Sequence, residues 1–136
     1  MSKHYKFYHI NACAWLGEPQ SRALPVFHAY SGCDTSAFKG ESRKSAWQAW
    51  QAYKDVTDTF MYLTSNPFLI LNADSEQFHE IERLTVILYD KTSASSSVNE
   101  TRRNLFYQKN RAMDKLPPTN NALLQHTRRA VFQAGI

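Results

Sequence analysis

"DSEQFHEIERLTVILYD", residues 74–90, decides what kind of fold this chain can make. Phe78, Ile81, Leu84, Thr85 and Leu88 recur at three- and four-residue spacing, the period of a helix rather than a strand. Glu76, Glu80 and Arg83 trace another face. From Leu84 onward the apolar arc widens into "LTVILY", too broad for a helix with a single buried stripe. The segment therefore predicts the longest helix of the chain, placed centrally with neighbours on several sides.

Outward from this segment the punctuation is helical. "DVTDTFMYLTSNP" predicts a short helix stopped at Asn66-Pro67. "SRKSAWQAWQAY" predicts another, with Ser42 as N-cap and an aromatic stripe of Trp47, Trp50 and Tyr53 that reads as core. "EPQSRALPVFHAYSG" predicts a third; Pro19 suits its first turn, Pro25 invites a kink, and Leu24, Phe27 and Tyr30/Ser31 share a side. Downstream, "KTSASSS" at 91–97 reads as a polar linker. Ser97 and Glu100 then form a capping-box signature for a helix to about Gln108, and "KLPPT" breaks the chain before a last helix capped by Thr119 and closed by Gly135. The expected architecture is mainly α, about six helices. It is preceded by a β-prone aromatic segment at 5–10 and a short helix ending at Gly17. A lone strand needs partners for its backbone, so residues 1–17 read as the remnant of an upstream domain and residues 18–136 as the helical domain.

Composition narrows the function. The chain has 136 residues, 43% hydrophobic, with only four glycines and five prolines, which argues for one globular domain and against a turn-dense sandwich or barrel. Two cysteines, Cys13 and Cys33, are no disulfide framework, and no signal-like or membrane-spanning run is present, so an intracellular protein with reduced thiols, nuclear or cytoplasmic, is expected. The net charge of +4 is uneven: residues 1–90 carry −2 and residues 91–136 carry +6. Basic residues therefore gather where an anionic backbone could use them, with Arg102, Arg103, Arg128 and Arg129 on two expected helices.

The chemistry concentrates in "FHAYSGCDTSAFKGESRKSAW", residues 27–47. Asp34 is a lone carboxylate in a Gly-flanked turn. A hard cation prefers several oxygen ligands, and two-metal phosphodiester hydrolysis needs a cluster of acids, so Asp34 would be one ligand among others supplied from elsewhere. Gly40, Ser42, Arg43 and Lys44 surround the opening of a helix, where free N–H groups and the helix dipole attract phosphate; Glu41 opposes this. His4, His9, Cys13, His28 and Cys33 lack zinc-ligand spacing. A Cys–His nucleophile built from Cys33 lacks any sign of an oxyanion hole.

The stretch "ALPVFHAYSGCDTSAFKGESRKSAWQAW" resembles a group of mobile-element-associated animal proteins. They share a Gly-Cys-Asp-Thr motif followed by Phe-x-Gly-Lys-Gly-Lys-Lys-Thr-Ala-Trp. "ILYDKTSASSSVNETRRNLFYQKN" and "LPPTNNALLQHTRRAVFQAG" are similar to the group's C-terminal part, so the likeness covers roughly residues 5–136. More distantly, "SGCDTSAFKGESRKSA" is similar in layout to the flap-endonuclease branch of the PIN-like nucleases. That resemblance implies that Asp34 is the last acid of a Mg²⁺ or Mn²⁺ cluster. It implies a helix–two-turn–helix in which Gly40, Arg43 and Lys44 grip nucleic-acid backbone, and a last sheet strand at 5–10. Where the group has Gly-Lys-Gly-Lys-Lys, this chain has Gly40-Glu41-Ser42-Arg43-Lys44. The expectation is the C-terminal part of such a nuclease-related protein. It would bind DNA or RNA backbone without reading sequence, partner the N-terminal nuclease part, have no membrane partner, and not cleave alone. The alternative expectation is a helical protein-interaction or structural domain with no nucleic-acid role.

Overall fold

The helix over 74–90 is present and central. A computed structural model describes residues 21–31, 43–111 and 115–134. Six helices run through them: α1 over 21–31, α2 Arg43–Ala52, α3 Val56–Ser65, α4 Glu76–Tyr89, α5 Val98–Tyr107 and α6 Asn120–Ala134. The fold is mainly helical, with no strand among the described residues. The expected strand at 5–10, the helix end at Gly17 and the helix cap Ser42 lie outside the described residues. So does the likeness to the last strand of a nuclease sheet, which finds no support here.

α4 packs against α2, α3, α5 and α6. Phe78, Ile81, Leu84, Thr85 and Leu88 are all buried, and so are Val86, Ile87 and Tyr89, so its second half is enclosed on every side. That is the structural meaning of a run with no polar face. α6 is one residue longer than α4, fifteen against fourteen, so the central helix is not the longest.

Trp50 anchors the other end of the core. It is fully buried and donates Nε1–H to Thr57 Oγ1 at 2.8 Å. Its ring lies 4.6 Å from Phe27 of α1 and 5.5 Å from Phe60 of α3, and Trp47 lies edge-on to Phe27 at 5.9 Å. These edge-to-face and tilted contacts join α1, α2 and α3 through aromatic rings, whose preferred geometry adds to simple burial. The tryptophan stripe is core, as its spacing predicts. α1 runs helical through Pro25.

A buried hydrogen-bond chain ties α1 to α4 and α6. Thr85 donates to Ile81 O, so the Tyr30 hydroxyl, 2.8 Å from Thr85 Oγ1, is the donor of that pair. Burial pushes the Tyr30 phenol well above the usual tyrosine range. His126 Nε2 lies 2.6 Å from Tyr30 O; a carbonyl only accepts, so that nitrogen carries the hydrogen. Burial, opposed by this bond and assisted by the Arg129 charge, lowers the His126 pKa. The unfolded chain then takes up the proton first on acidification. The stabilisation is present above the ordinary histidine value of 6.5 and fades as pH falls through the lower folded one. Thermal midpoints should therefore drop between about pH 7.5 and about pH 5.5. His126→Gln, which keeps a donor but does not titrate, should flatten that part of the profile.

The polar segment 91–97 is held rather than free. Arg83 donates Nη1–H to Ser93 O at 3.0 Å and to Ser95 O at 2.5 Å, and Ser97 N–H donates to Ser95 Oγ. Half of the expected capping box forms: Ser97 Oγ accepts from Glu100 N–H. In the other half Ser95 Oγ takes the Ser97 N–H in place of Glu100, and the next amide goes to Glu82 of α4, buried, whose Oε2 accepts from Val98 N–H at 3.0 Å and from Asn120 Nδ2 at 3.3 Å. One carboxylate thus satisfies the first amide of α5 and tethers the start of α6. Thr119 Oγ1 accepts from Ala122 N–H, the cap expected of it. No helix among the described residues is long and apolar enough to cross a membrane.

Candidate nucleic-acid interface

Two helices bracket the motif stretch. α1 ends at residue 31 of the described chain and α2 begins at Arg43. Phe27 near the end of α1 meets Trp47 one turn into α2, so ring packing fixes the two helices against each other. Asp34, Gly40 and Ser42 lie between them, outside the described residues, and so does the Arg43 side chain. Lys44 is exposed in the first turn of α2, which holds no acidic residue. The first amides of a helix lack carbonyl partners within it, and the dipole adds positive potential there. Trp47, packed on Phe27, and buried Ala46 hold this end of the helix against the core, with Lys44 exposed beside them.

The four tail arginines divide into two kinds. Arg102 donates Nη1–H to Pro117 O at 3.0 Å, tying α5 to the break before α6. Arg128 donates Nε–H and Nη2–H to Leu71 O at 2.9 and 2.6 Å, tying α6 to the loop between α3 and α4. Each guanidinium thus gives part of its donor set to a backbone carbonyl; Arg102 is half-buried, while Arg128 stays exposed. Arg103 and Arg129 are exposed and make no hydrogen bond or ion pair among the described residues. Arg111 behaves like the first kind, donating to Tyr89 O at 2.9 Å.

The exit of α5 is similarly fixed. Asn110 adopts φ +51°, a left-handed conformation that asparagine tolerates better than most residues. The turn brings Arg111 N–H to Leu105 O at 2.9 Å, and Lys109 sits 3.6 Å from Asp90. Burial alone would raise the Asp90 carboxyl, but hydrogen bonds from Thr92 and the Lys109 charge hold it below the usual range. Just before this turn, Phe106 and Tyr107 stand outward, 5.0 Å apart and edge-on.

The opposite charge collects elsewhere. Asp58 and Tyr62 of α3 and Glu76, His79 and Glu80 of α4 line a cleft. Tyr53 donates to Glu80 Oε2 at 2.7 Å, and burial together with this acceptor pushes its phenol up to about 12. Phosphate is repelled from that wall. Beyond it, the loop between α3 and α4 displays Phe68 at 88% and Ile70 at 82% exposure. Among the described residues no three His, Cys, Asp or Glu side chains gather closely enough to hold a metal ion; Asp34 lies outside them.

Sequence reading missed three features here: the carbonyl-bonded arginines, the Glu82 tether and the displayed aromatics. The first had a signal, because Arg102 and Arg128 fall on the same helical stripes as Val98–Leu105 and Leu124–Val131. Comparison with protein-family models, curated proteins and solved structures found no match to this chain.

Proposed function

We propose that this chain is the helical C-terminal part of a PIN-like, flap-endonuclease-type protein that grips nucleic-acid backbone, without reading sequence, at the turn opening α2. The observation that carries the reading is the α1–α2 pair. Two helices joined through Phe27, Trp47 and Trp50 bracket the Gly-Cys-Asp-Thr segment in sequence, and Lys44 in the first turn of α2 is exposed. A backbone grip needs amides and cations held rigidly at one place. Asp34 would be a single ligand of a Mg²⁺ or Mn²⁺ cluster whose other carboxylates this sequence does not repeat in the same setting. No cleavage step is assigned to the chain on its own.

Duplex DNA binding tests the reading. Arg43→Ala with Lys44→Ala should weaken binding roughly tenfold at low salt and flatten the log–log salt slope by about 1.8, the loss of two phosphate contacts. A native chain with no salt-sensitive affinity for DNA overturns it. Metal-dependent cleavage by the native chain, lost in Asp34→Ala, overturns the assignment of binding without cleavage.

A second reading, a helical protein-interaction domain, is favoured by Phe68 and Ile70. They stand outward on a loop whose end is held by Arg128 at Leu71 O, and exposed apolar groups on a fixed segment suit a protein partner. This reading takes over if DNA is not bound.

A further inference from the structure

The two arginine pairs belong to one five-residue pattern used twice. "RRNLF" covers 102–106 in α5 and "RRAVF" covers 128–132 in α6. The first, second, fourth and fifth positions match in both, while the third differs, half-buried Asn104 against buried Ala130. The first arginine donates to the carbonyl of a neighbouring loop, at Pro117 and at Leu71. The fourth residue, Leu105 or Val131, is buried in the core. The second arginine and the phenylalanine are exposed, Phe132 at 63%, and in α5 the adjacent Tyr107 is exposed at 73%. Residues three and four apart on a helix are neighbours, so Arg103 sits beside Phe106 and Tyr107, and Arg129 beside Phe132.

We infer that Arg103 with Phe106 and Tyr107, and Arg129 with Phe132, are two docking units for unpaired nucleic acid, each ring stacking on a base and each guanidinium meeting a phosphate. The inference rests on the nucleic-acid reading above, but at a surface distinct from the turn at Lys44. The ligand follows from the chemistry. Residues 91–136 carry +6, so the partner is anionic. A phenyl ring offers no hydrogen bond to a base edge, so it accepts any base through its face. In a duplex those faces are covered by neighbouring base pairs, so only unpaired bases present them. The carbonyl-bonded arginine and the buried fourth residue fix each helix against the core. The backbone that carries the rings is thereby held before the ligand arrives, which limits the entropy lost on binding to that of the side chains.

Fluorescence anisotropy with the full chain, an unpaired twenty-nucleotide poly-dT probe and a duplex of the same length tests this. Phe106→Ala with Tyr107→Ala, and separately Phe132→Ala, should each weaken poly-dT binding about tenfold while leaving duplex affinity and the melting profile unchanged. Arg103→Ala with Arg129→Ala should flatten the single-strand salt slope by roughly 1.4. Arg43→Ala with Lys44→Ala should act on duplex and not on poly-dT. If the aromatic variants bind poly-dT like the native chain, the inference fails, even where the Arg43/Lys44 variant still loses duplex and the backbone grip stands. A native chain that ignores poly-dT, the result expected of a protein-docking face, overturns it equally.

Discussion

Replacing Trp50 with alanine should remove about 3–5 kcal/mol of stability, lowering the thermal midpoint by roughly 10–20 °C in a chain of this size. The indole is fully buried between Phe27 and Phe60, so truncation leaves a void that three helices cannot close together. It also leaves Thr57 Oγ1 without its donor. Trp50→Phe separates the two losses. A phenyl ring keeps much of the packing and gives up the hydrogen bond, for a cost nearer 1–2 kcal/mol. Denaturant melts of both variants measure the difference. If Trp50→Ala melts like the native chain, the aromatic joint between α1, α2 and α3 is not what holds the fold, and the premise that α1 and α2 are locked together goes with it.

Glu82→Ala should cost about 2–3 kcal/mol, more than its single carboxylate suggests. The side chain is buried, and its Oε2 meets both Val98 N–H and Asn120 Nδ2. Truncation strands the first amide of α5 away from water and releases the start of α6 together with it. Hydrogen exchange gives a local readout: Val98 N–H should exchange much faster in the variant, while amides in the middle of α4 keep their protection. Glu82→Gln retains one acceptor oxygen and should lose only part of the stability. Equal protection at Val98 in all three chains would show that the amide is satisfied by other means.

Helix positions were legible wherever period and punctuation agreed. Asn66-Pro67 ends α3, Ser97 and Thr119 cap the helices that follow them, and the face from Phe78 to Leu88 is buried as its spacing requires. These are local signals, readable within one or two turns of chain. What stayed hidden depends on residues far apart in sequence. Glu82 caps a helix sixteen residues downstream, and Arg128 closes on a carbonyl fifty-seven residues upstream. Periodicity sets the face each side chain is on but does not announce its distant partner. The tail arginines could be read only halfway. Adjacent arginines on a helix point 100° apart, so one of each pair falls beside the apolar stripe and the other outside it. Counting charge treats the pair as equal; helical register separates them.

Arg83, Arg102, Arg111 and Arg128 share one habit: each ends on a main-chain oxygen, at Ser93 and Ser95, Pro117, Tyr89 and Leu71. Every amino acid brings the same carbonyl, so the tie itself does not choose the receiving residue; at Leu71 and Tyr89 burial in the core does, while half-buried Ser93 and Ser95 have no such packing constraint. The four arginines carry the ties, and the exposed positions of the connectors, such as Lys91, Ala94 and Ser96, are left open to variation. An engineer could rewrite those exposed positions, to graft a peptide or vary a surface, more safely than change any one of the four arginines.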